Sequence, residues 1–515
     1  MLFILPLLAF LQTTSASAIP CPDHTNHTIR WVDCHDKVPE PLVPVPNLTD
    51  TTFNGTLPAN LFCGEIDVPM DYTKPFDSVS NNITIGFAMN RPKKQASGLI
   101  FYHAGGPGEN AAAQAWENAL NLSSAFVGLE DFDFLAINTR GIQLSNPLNL
   151  SSGVFFNNLS FAFPTSQAEF DQYQAAMSSF LDAAARDSTP VVILEHVGTK
   201  EVIQDWDTMR AALGYEKVSF AGVSYGTFVG MDYAARYPQR VNQFVIDAAI
   251  PHGMPYQDMI TPQLADANRL VQRADAFCLT DPTCPFHGQV TLTGLADDPR
   301  ARNPSAAPRA QLRPGHRLQL PGHRDGSAPG RRLPLPLHPD FPLFNTALNA
   351  SLHGDASLFA YQPLADIRES VVTPLLCSDF KLDDDLKTFA GWHNLTVNAK
   401  GRTTLPTDLP LMWMTSDFDL NLPTELTTFA WLQAPNSTLV IRHGDDHTNI
   451  LIPPPAAAAG NVARRFLLTG EMPGPRSDAQ ITIIGPGGTR GPVPGAYDVP
   501  TGAVAGDTST IENIV

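Results

Sequence analysis

Stretches with the pattern of buried strands alternate with helix-like stretches over the first half of the chain, and this alternation restricts the fold more than any other feature. The strand-like runs cover 82–89, 97–102, 132–138, 217–221 and 241–247. The helix-like stretches cover 167–185, 199–213 and 227–237. Strands separated by helices form a mostly parallel sheet, so we predict an α/β fold. The strand pattern returns at 409–414 and 437–441, with a predicted helix at 423–432 between them.

The chain has 515 residues, which is more than a usual single domain contains. We therefore predict a core that is interrupted by an inserted cap. Changes of composition mark the boundaries. The predicted segments are a signal peptide at 1–18, an N-terminal arm at 19–60, a first core part at 61–250, a cap at 251–375, a second core part at 376–475 and a loose tail at 476–515.

Within the predicted cap, residues 291–340 differ from the rest of the chain. From Pro299 to Asp340 there are nine prolines, eight arginines and no lysine, and the apolar residues show no periodicity. Three interpretations stay open for this segment. It is a poorly packed insertion, a basic binding patch, or the product of a wrong intron boundary or frameshift in the gene model.

The N-terminal residues predict export. Leu2–Leu11 is an apolar run too short to span a bilayer, and Ala16 and Ala18 are small residues suited to signal-peptide cleavage. An exported chain is exposed to glycosylation, and ten Asn-x-Ser/Thr sites occur. These are Asn26, Asn47, Asn54, Asn82, Asn121, Asn149, Asn158, Asn349, Asn394 and Asn436. We expect a secreted glycoprotein with no membrane contact after cleavage.

The six cysteines are an even number, as suits disulfide bonds outside the cell. Cys278 and Cys284 are six residues apart, and Cys34 and Cys63 flank a proline-rich segment, so we predict these two bridges. The pairing of the remaining cysteines, Cys21 and Cys377, stays open.

Charge and motif spacing exclude some partners. The chain carries a formal charge of −18, which disfavours nucleic acid and anionic membrane surfaces because phosphates are repelled. No CxxC or HExxH spacing occurs, so we expect neither a metal nor another cofactor. The sequence leaves the oligomeric state unknown.

The stretch Gly222-Val-Ser-Tyr-Gly226 makes Ser224 a candidate nucleophile. A strand-like run precedes this G-x-S-x-G pattern and a helix-like run follows it, which is the context of a nucleophile elbow. Such a serine needs a base, an orienting acid and donors for an oxyanion. The N–H of Tyr225 is one predicted donor. A second is expected from the glycine-rich loop after the strand at 97–102, where we select Gly105 and Gly106.

The acid and the base are expected after later strands, in the order Ser, Asp, His. Asp419 is the preferred acid because it begins the loop before the helix at 423–432. Asp247 and Asp417 remain alternatives. His447, in the loop after the strand at 437–441, is the predicted base, and His443 lies nearer that strand.

Together these stretches resemble the tripeptidyl-aminopeptidase-like branch of the α/β-hydrolases, which is related to the prolyl aminopeptidases. The similar stretches include FCGEIDVPMDY, HAGGPG, GVSYGTFVGMDYAARYPQR, CLTDPTCP, LLCSDF, SDFDLNLP and GDDHTN. The resemblance implies an α/β-hydrolase fold with a mostly parallel central sheet and a helical cap inserted after the sixth core strand. It also implies Ser224 as nucleophile, Asp419 as acid and His447 as base.

The resulting expectation is a secreted serine hydrolase. It would cleave amide bonds through an acyl-enzyme and release short peptides or residues from a substrate's N-terminus. An aminopeptidase needs a carboxylate for the substrate ammonium, and Glu109, beside the glycine-rich loop, is our candidate. Two alternatives stay open: an esterase, amide or lactone hydrolase acting on a small metabolite, and an inactive binding protein with the hydrolase fold.

Overall fold

The computed structural model describes most of the predicted core and the first part of the cap. The described residues are 27–39, 55–150, 166–254, 256–288, 339–353, 405–406, 408–452 and 458–501, with short stretches between 317 and 397. The predicted signal peptide, nearly all of 291–340, the glycosylation sites Asn26, Asn47, Asn54, Asn158 and Asn394, and the cysteines Cys21 and Cys377 lie outside the described residues.

Fifteen strands are found in the described part of the chain. They are β1 Arg30–Val32, β2 Leu61–Val68, β3 Ile83–Asn90, β4 Leu99–His103, β5 Asp133–Ile137, β6 Val218–Val223, β7 Val241–Asp247, β8 Arg317–Leu318, β9 Ala360–Tyr361, β10 Phe380–Lys381, β11 Thr396–Val397, β12 Leu411–Ser416, β13 Thr438–Arg442, β14 Arg476–Ser477 and β15 Ile481–Ile484. Eleven of them form one sheet in the order β1-β2-β3-β5-β4-β6-β7-β12-β13-β15-β14.

The α-helices that the structure describes pack around this sheet. They are α1 Ala112–Ala119, α2 Gln167–Asp187, α3 Thr199–Ala212, α4 Tyr225–Arg236, α5 Tyr256–Thr280, α6 Phe341–Leu352, α7 Thr424–Trp431 and α8 Ala458–Thr469. The middle of the sheet, from β5 through β4, β6, β7 and β12 to β13, is parallel, while β1, β2, β3, β14 and β15 pair antiparallel. The prediction of a mostly parallel central sheet is confirmed.

Alternate residues of the central strands face two separate apolar layers. Phe220 and Phe244 pack with Trp206 of α3 in one layer. Their neighbours Ala221 and Val245 belong to the other layer, which includes α1 and α8. Helices cover both faces of β6 and β7, so every residue of β6 and residues 244–247 of β7 are buried, as expected for central parallel strands.

The cap begins after β7, which is the sixth strand counted from β2, as the predicted insertion point requires. Its first helix, α5, packs against α6 through Leu270, Ala274 and Phe341. The Cys278–Cys284 disulfide closes the turn that follows α5. The predicted cap position therefore matches the element order.

Both ends of the described chain join the sheet, which differs from our prediction of an extended arm and a loose tail. In the arm, β1 pairs with β2, with Trp31 opposite Gly64, and the Cys34–Cys63 disulfide fixes the segment that follows. At the other end, β15 pairs with β13 and β14 pairs with β15. Glycine and proline content suggested loose packing, but backbone pairing and the contacts described below order residues 476–501.

Candidate active site

Ser224 lies in a strained turn between a strand and a helix. Strand β6 ends at Val223 and α4 begins at Tyr225, and Ser224 itself has φ 53° and ψ −127°. A non-glycine residue at such a positive φ is strained, and strain of this kind concentrates at functional sites. The Ser224 N–H donates to the Asp247 carbonyl at 3.0 Å, and the Ser224 carbonyl accepts the Thr227 N–H at 2.9 Å. These bonds hold the turn between β7 and α4.

The glycines on either side of Ser224 allow close packing that a side chain would prevent. A Cβ on Gly226 would lie 2.7 Å from the His103 carbonyl oxygen and 2.9 Å from the His103 Cβ. A Cβ on Gly222 would lie 2.9 Å from the Gly226 carbonyl oxygen and 2.3 Å from the Phe220 ring. The G-x-S-x-G spacing therefore reflects packing of β4, β6 and α4 around the turn.

The glycine-rich loop that follows β4 lies against Ser224. A Cβ on Gly105 would be 2.9 Å from the Ser224 Cβ and 3.5 Å from the Tyr225 backbone nitrogen. Gly105 and Gly106 both have φ +97°, a conformation that glycine adopts readily. The His103 Nδ1 accepts the Gly105 N–H at 3.0 Å, which orients the start of the loop. The structure thus brings together Gly105, Ser224 and the Tyr225 N–H, as the sequence predicts.

His447 and Asp419 form a buried hydrogen-bonded pair. The His447 Nδ1 lies 2.8 Å and 2.9 Å from the two oxygens of the Asp419 carboxylate. Asp419 Oδ1 also accepts the backbone N–H groups of Asn421 and Leu422 at 2.9 Å and 3.0 Å, which fixes the carboxylate in the loop after β12. Asp419 therefore engages Nδ1 of the imidazole, and the opposite ring nitrogen, Nε2, takes no part in this contact.

Burial and the contact between the two side chains shift the pKa values of His447 and Asp419 in opposite directions. Burial alone would lower the pKa of His447, but the charge of Asp419 and its hydrogen bond outweigh burial, and the pKa is raised above its ordinary 6.5. Burial raises the pKa of Asp419, and the charge of His447 opposes that increase. The Asp419–His447 contact therefore favours a proton on the imidazole.

The two alternative acids have other partners. The Asp247 carboxylate accepts the N–H groups of Asn449 at 2.6 Å and Ile450 at 2.8 Å, and the Asn449 Nδ2 donates to it at 2.8 Å. Asp417 contacts His443 Nδ1 at 2.6 Å. Of the three candidate carboxylates, Asp419 is the one that hydrogen-bonds to His447, while Asp247 anchors the loop just after His447.

Comparisons with known proteins identify the fold. A family model described as "alpha/beta hydrolase fold" matches residues 98–305, which include the Gly105 loop, Ser224 and α5. The chain has the α/β-hydrolase fold.

Curated relatives confirm the resemblance of this α/β-hydrolase to the tripeptidyl-aminopeptidase-like branch. It is 27% identical over 323 residues to "Serine protease Hip1" of Mycobacterium tuberculosis, covering 58% of this chain and 57% of the relative. It is 27% identical over 202 residues to "Tripeptidyl aminopeptidase" of Streptomyces lividans, covering 39% of this chain and 37% of the relative. The chain thus spans little more than half, or less, of the length of these relatives.

A buried polar cluster behind Tyr225 is not predicted by the sequence patterns. The Tyr225 hydroxyl donates to the Asp379 carboxylate, and the Thr199 N–H and hydroxyl donate to the same carboxylate at 2.8 Å and 2.7 Å. Burial raises the pKa of Asp379 to about 6. Asp379 lies in LLCSDF, a stretch that carries the family resemblance, but no spacing rule pairs it with Tyr225 at a separation of 154 residues.

Cap helix α5 brings a second carboxylate close to Asp419. Asp266 is fully buried, accepts a hydrogen bond from Arg269 at 2.9 Å, and leaves its other carboxyl oxygen without a hydrogen-bond partner. Burial and the nearby charge of Asp419 raise the pKa of Asp266 to about 8. The Gln263 side chain donates to the Asn421 carbonyl at 2.8 Å, so α5 lies directly against the loop that carries Asp419.

Glu109 lies beside Gly106, as its place in the sequence requires. A Cβ on Gly106 would be 3.3 Å from the Glu109 Cγ. Its predicted contact with a substrate amine stays a prediction. Within the described residues, no group of three or more His, Cys, Asp or Glu side chains is arranged to hold a metal ion. Nor is any helix in the described ranges long and apolar enough to cross a membrane.

Proposed function

We propose that this hydrolase is a serine peptidase that cleaves amide bonds through an acyl-enzyme, with Ser224 as nucleophile, His447 as base and Asp419 as acid. The observation that carries the proposal is the pairing of a strained serine turn with a buried Asp–His hydrogen bond on the same fold. The curated relatives named as a serine protease and a tripeptidyl aminopeptidase support the peptidase class.

In the proposed first step, the Ser224 oxygen attacks the substrate carbonyl carbon while His447 Nε2 takes the hydroxyl proton. The oxyanion that forms accepts hydrogen bonds from the N–H of Tyr225 and from that of Gly106 in the glycine-rich loop. His447 returns the proton to the departing amine, which breaks the amide bond and leaves an acyl ester on Ser224. Water, activated by His447, then hydrolyses the ester. Asp419 holds the imidazole in the required tautomer throughout.

The proposed substrate is the free N-terminus of a peptide, and Glu109 is the proposed partner of its ammonium group. A carboxylate beside the oxyanion loop would stabilise a cation near the reacting bond. Exchange of Glu109 for Gln is expected to raise KM for substrates with a free amine and to leave KM for acyl esters unchanged. An equal change for both substrate types would show that Glu109 does not recognise the amine.

We propose that the protein is exported. The two disulfides suit an oxidising compartment. Three of the described glycosylation candidates, Asn121, Asn149 and Asn436, have exposed side chains. Glycosidase treatment of protein secreted by a eukaryotic host should reduce its apparent mass.

The function is tested with matched peptide and ester substrates. Wild-type protein should hydrolyse tripeptidyl or aminoacyl amides with a free amine faster than the same compounds with a blocked amine. Ser224→Ala should abolish hydrolysis, whereas Ser219→Ala is the control, because Ser219 lies on the same β6 strand and its hydroxyl donates to Gln243 at 2.6 Å. Hydrolysis of short acyl esters alone would assign an esterase instead, and activity retained in Ser224→Ala would reject the proposed nucleophile.

A further inference from the structure

The segment near the end of the described chain crosses from the core to the cap. We call residues 490–500 the C-terminal strap. At its start, the Arg490 Nη2 lies 3.3 Å from the Asp417 carboxylate, in the loop that carries Asp419. Further along, the Tyr497 hydroxyl donates to Asp275 of α5 at 2.8 Å. The strap therefore contacts both the acid loop and the first cap helix.

Arg273 of α5 is the centre of these contacts. Its side chain is fully buried, and its guanidinium makes five hydrogen bonds, a number equal to its N–H donors. Two of these bonds run from Nε and Nη2 to the two oxygens of the Asp445 carboxylate, at 2.5 Å and 2.7 Å. The other three go to backbone carbonyls of the strap, at Ala496, Val499 and Pro500.

The partners of Arg273 lie immediately beside the proposed acid and base. Asp445 is two residues before His447 in the loop after β13. The guanidinium carbon also lies 4.7 Å from the centre of the Phe418 ring, and Phe418 directly precedes Asp419. One buried side chain of the cap thus touches both loops of the proposed catalytic pair.

Apolar packing closes the same junction. Leu270 and Ala274 of α5, Phe341 of α6, Phe418 and Val499 form one buried cluster in which cap, acid loop and strap all take part. Displacing the strap would leave three N–H donors of Arg273 without their carbonyl acceptors and would expose this cluster. Such a loss is costly in a buried site, so the strap and the two loops are expected to be ordered together.

We infer that the C-terminal strap belongs to the active-site scaffold and that Arg273 is a positioning residue, which together hold the loops of Asp419 and His447 in fixed relative positions. The inference rests on the proposed function, because it gives the fixed relative position of these two loops a role in catalysis. Catalytic rates are sensitive to displacements of about 1 Å, which cost about 100-fold. Loosening the strap should therefore lower kcat more than it raises KM.

The test uses the full chain with Arg273→Lys, which keeps a positive charge but loses the planar fork. We expect kcat to fall about 10- to 100-fold with a small change in KM. Arg465→Lys is the matched control, because Arg465 forms an ion pair with Glu471 in which both side chains are mostly exposed. A wild-type kcat in Arg273→Lys would overturn the positioning role.

A second test removes the strap itself. A chain that ends at Pro486 retains β14 and β15, and its control ends at Thr501. The shorter chain should lose activity, and a synthetic peptide of residues 487–501 should restore part of it when added in trans. If the shorter chain does not fold, Arg490→Gln in the full chain replaces it, with the same expected fall in kcat. Full activity of a folded chain without the strap would contradict the inference.

Hydrogen–deuterium exchange separates this inference from the proposed function. Arg273→Lys should speed exchange in 417–422 and 443–450 whether or not Ser224 is a nucleophile, and Arg465→Lys should not. If Ser224 is unreactive but exchange is faster in Arg273→Lys, the proposed chemistry is rejected and the positioning role of Arg273 and the strap is retained. If Ser224 is reactive but Arg273→Lys changes neither the exchange nor kcat, only the positioning role of Arg273 and the strap is rejected.

Discussion

Replacement of Gly105 by alanine tests whether the glycine-rich loop is packed against Ser224 as described. Gly105 has φ +97°, and an added Cβ would meet the Val223 carbonyl oxygen at 2.8 Å and the Ser224 Cβ at 2.9 Å. Both distances are shorter than ordinary van der Waals contacts, so the loop or the serine turn has to move. The matched control is Gly128→Ala, because Gly128 has φ +89° and no atom within 4 Å of the added Cβ.

Both variants lose stability because alanine is strained at a positive φ, but only Gly105→Ala also loses stability through steric contact. A positive φ costs an alanine about 1–2 kcal/mol, and this is all that Gly128→Ala is expected to lose. Forcing a methyl group into a packed site adds about 1–3 kcal/mol, so Gly105→Ala should lose about 2–5 kcal/mol in total. Since the added Cβ would push against Ser224 and lie 3.5 Å from the Tyr225 nitrogen, kcat should fall about 100-fold in Gly105→Ala alone.

Urea unfolding and steady-state kinetics of both variants measure these two effects. We expect Gly128→Ala to be less stable than the wild type and fully active. We expect Gly105→Ala to be less stable than Gly128→Ala and nearly inactive. Equal stability losses in the two variants would show that Gly105 has no close neighbours. An unchanged kcat in Gly105→Ala would show that the loop does not lie against the reacting atoms.

Three further predictions concern the carboxylates and the histidine. Asp419→Asn should lower kcat about 10,000-fold, because the tautomer of His447 is no longer fixed; a loss below tenfold would contradict the role of acid. The neutral form of His447 is the proposed base, and the pKa of His447 is raised above 6.5, so kcat/KM should decline as the pH falls through a midpoint above 6.5; a midpoint below that value, measured in a pH series, would contradict the Asp419 contact. Asp247→Asn should lower the free energy of unfolding by about 1.5–3 kcal/mol, because the buried N–H groups of Asn449 and Ile450 lose a charged acceptor. It should also lower kcat. An unchanged free energy of unfolding in a denaturant titration would show that Asp247 does not anchor the loop.

Local sequence patterns were sufficient to select the residues of the proposed site. Ser224 is recognisable because its glycines, the preceding strand and the following helix are neighbours in the chain, and this local context predicts a turn. Asp419 and His447 are recognisable because each follows a strand of a parallel sheet, and such strand ends lie at one edge of the sheet. The choice between Asp419 and Asp247 was not decided by pattern, since both carboxylates follow a strand.

The contacts that support the site depend on pairs of residues that are distant in sequence. Arg273 meets the strap at a separation of 223 residues or more, and Asp379 meets Tyr225 at a separation of 154. Neither partner carries a periodic or spacing signal. The strap is rich in glycine and proline, which indicated a loose tail, yet its backbone carbonyls are the acceptors that a buried arginine requires.

Covalent labelling of Ser224 is the most direct test of its proposed role as nucleophile. A fluorophosphonate should add to Ser224 of the native protein and fail to add after thermal unfolding or in His447→Ala. Trypsin releases residues 218–236 as one peptide that contains Ser219 and Ser224, so fragment masses distinguish the two serines. We expect label on Ser224 alone. Label on Ser219, or no label on this peptide in native protein, would contradict it.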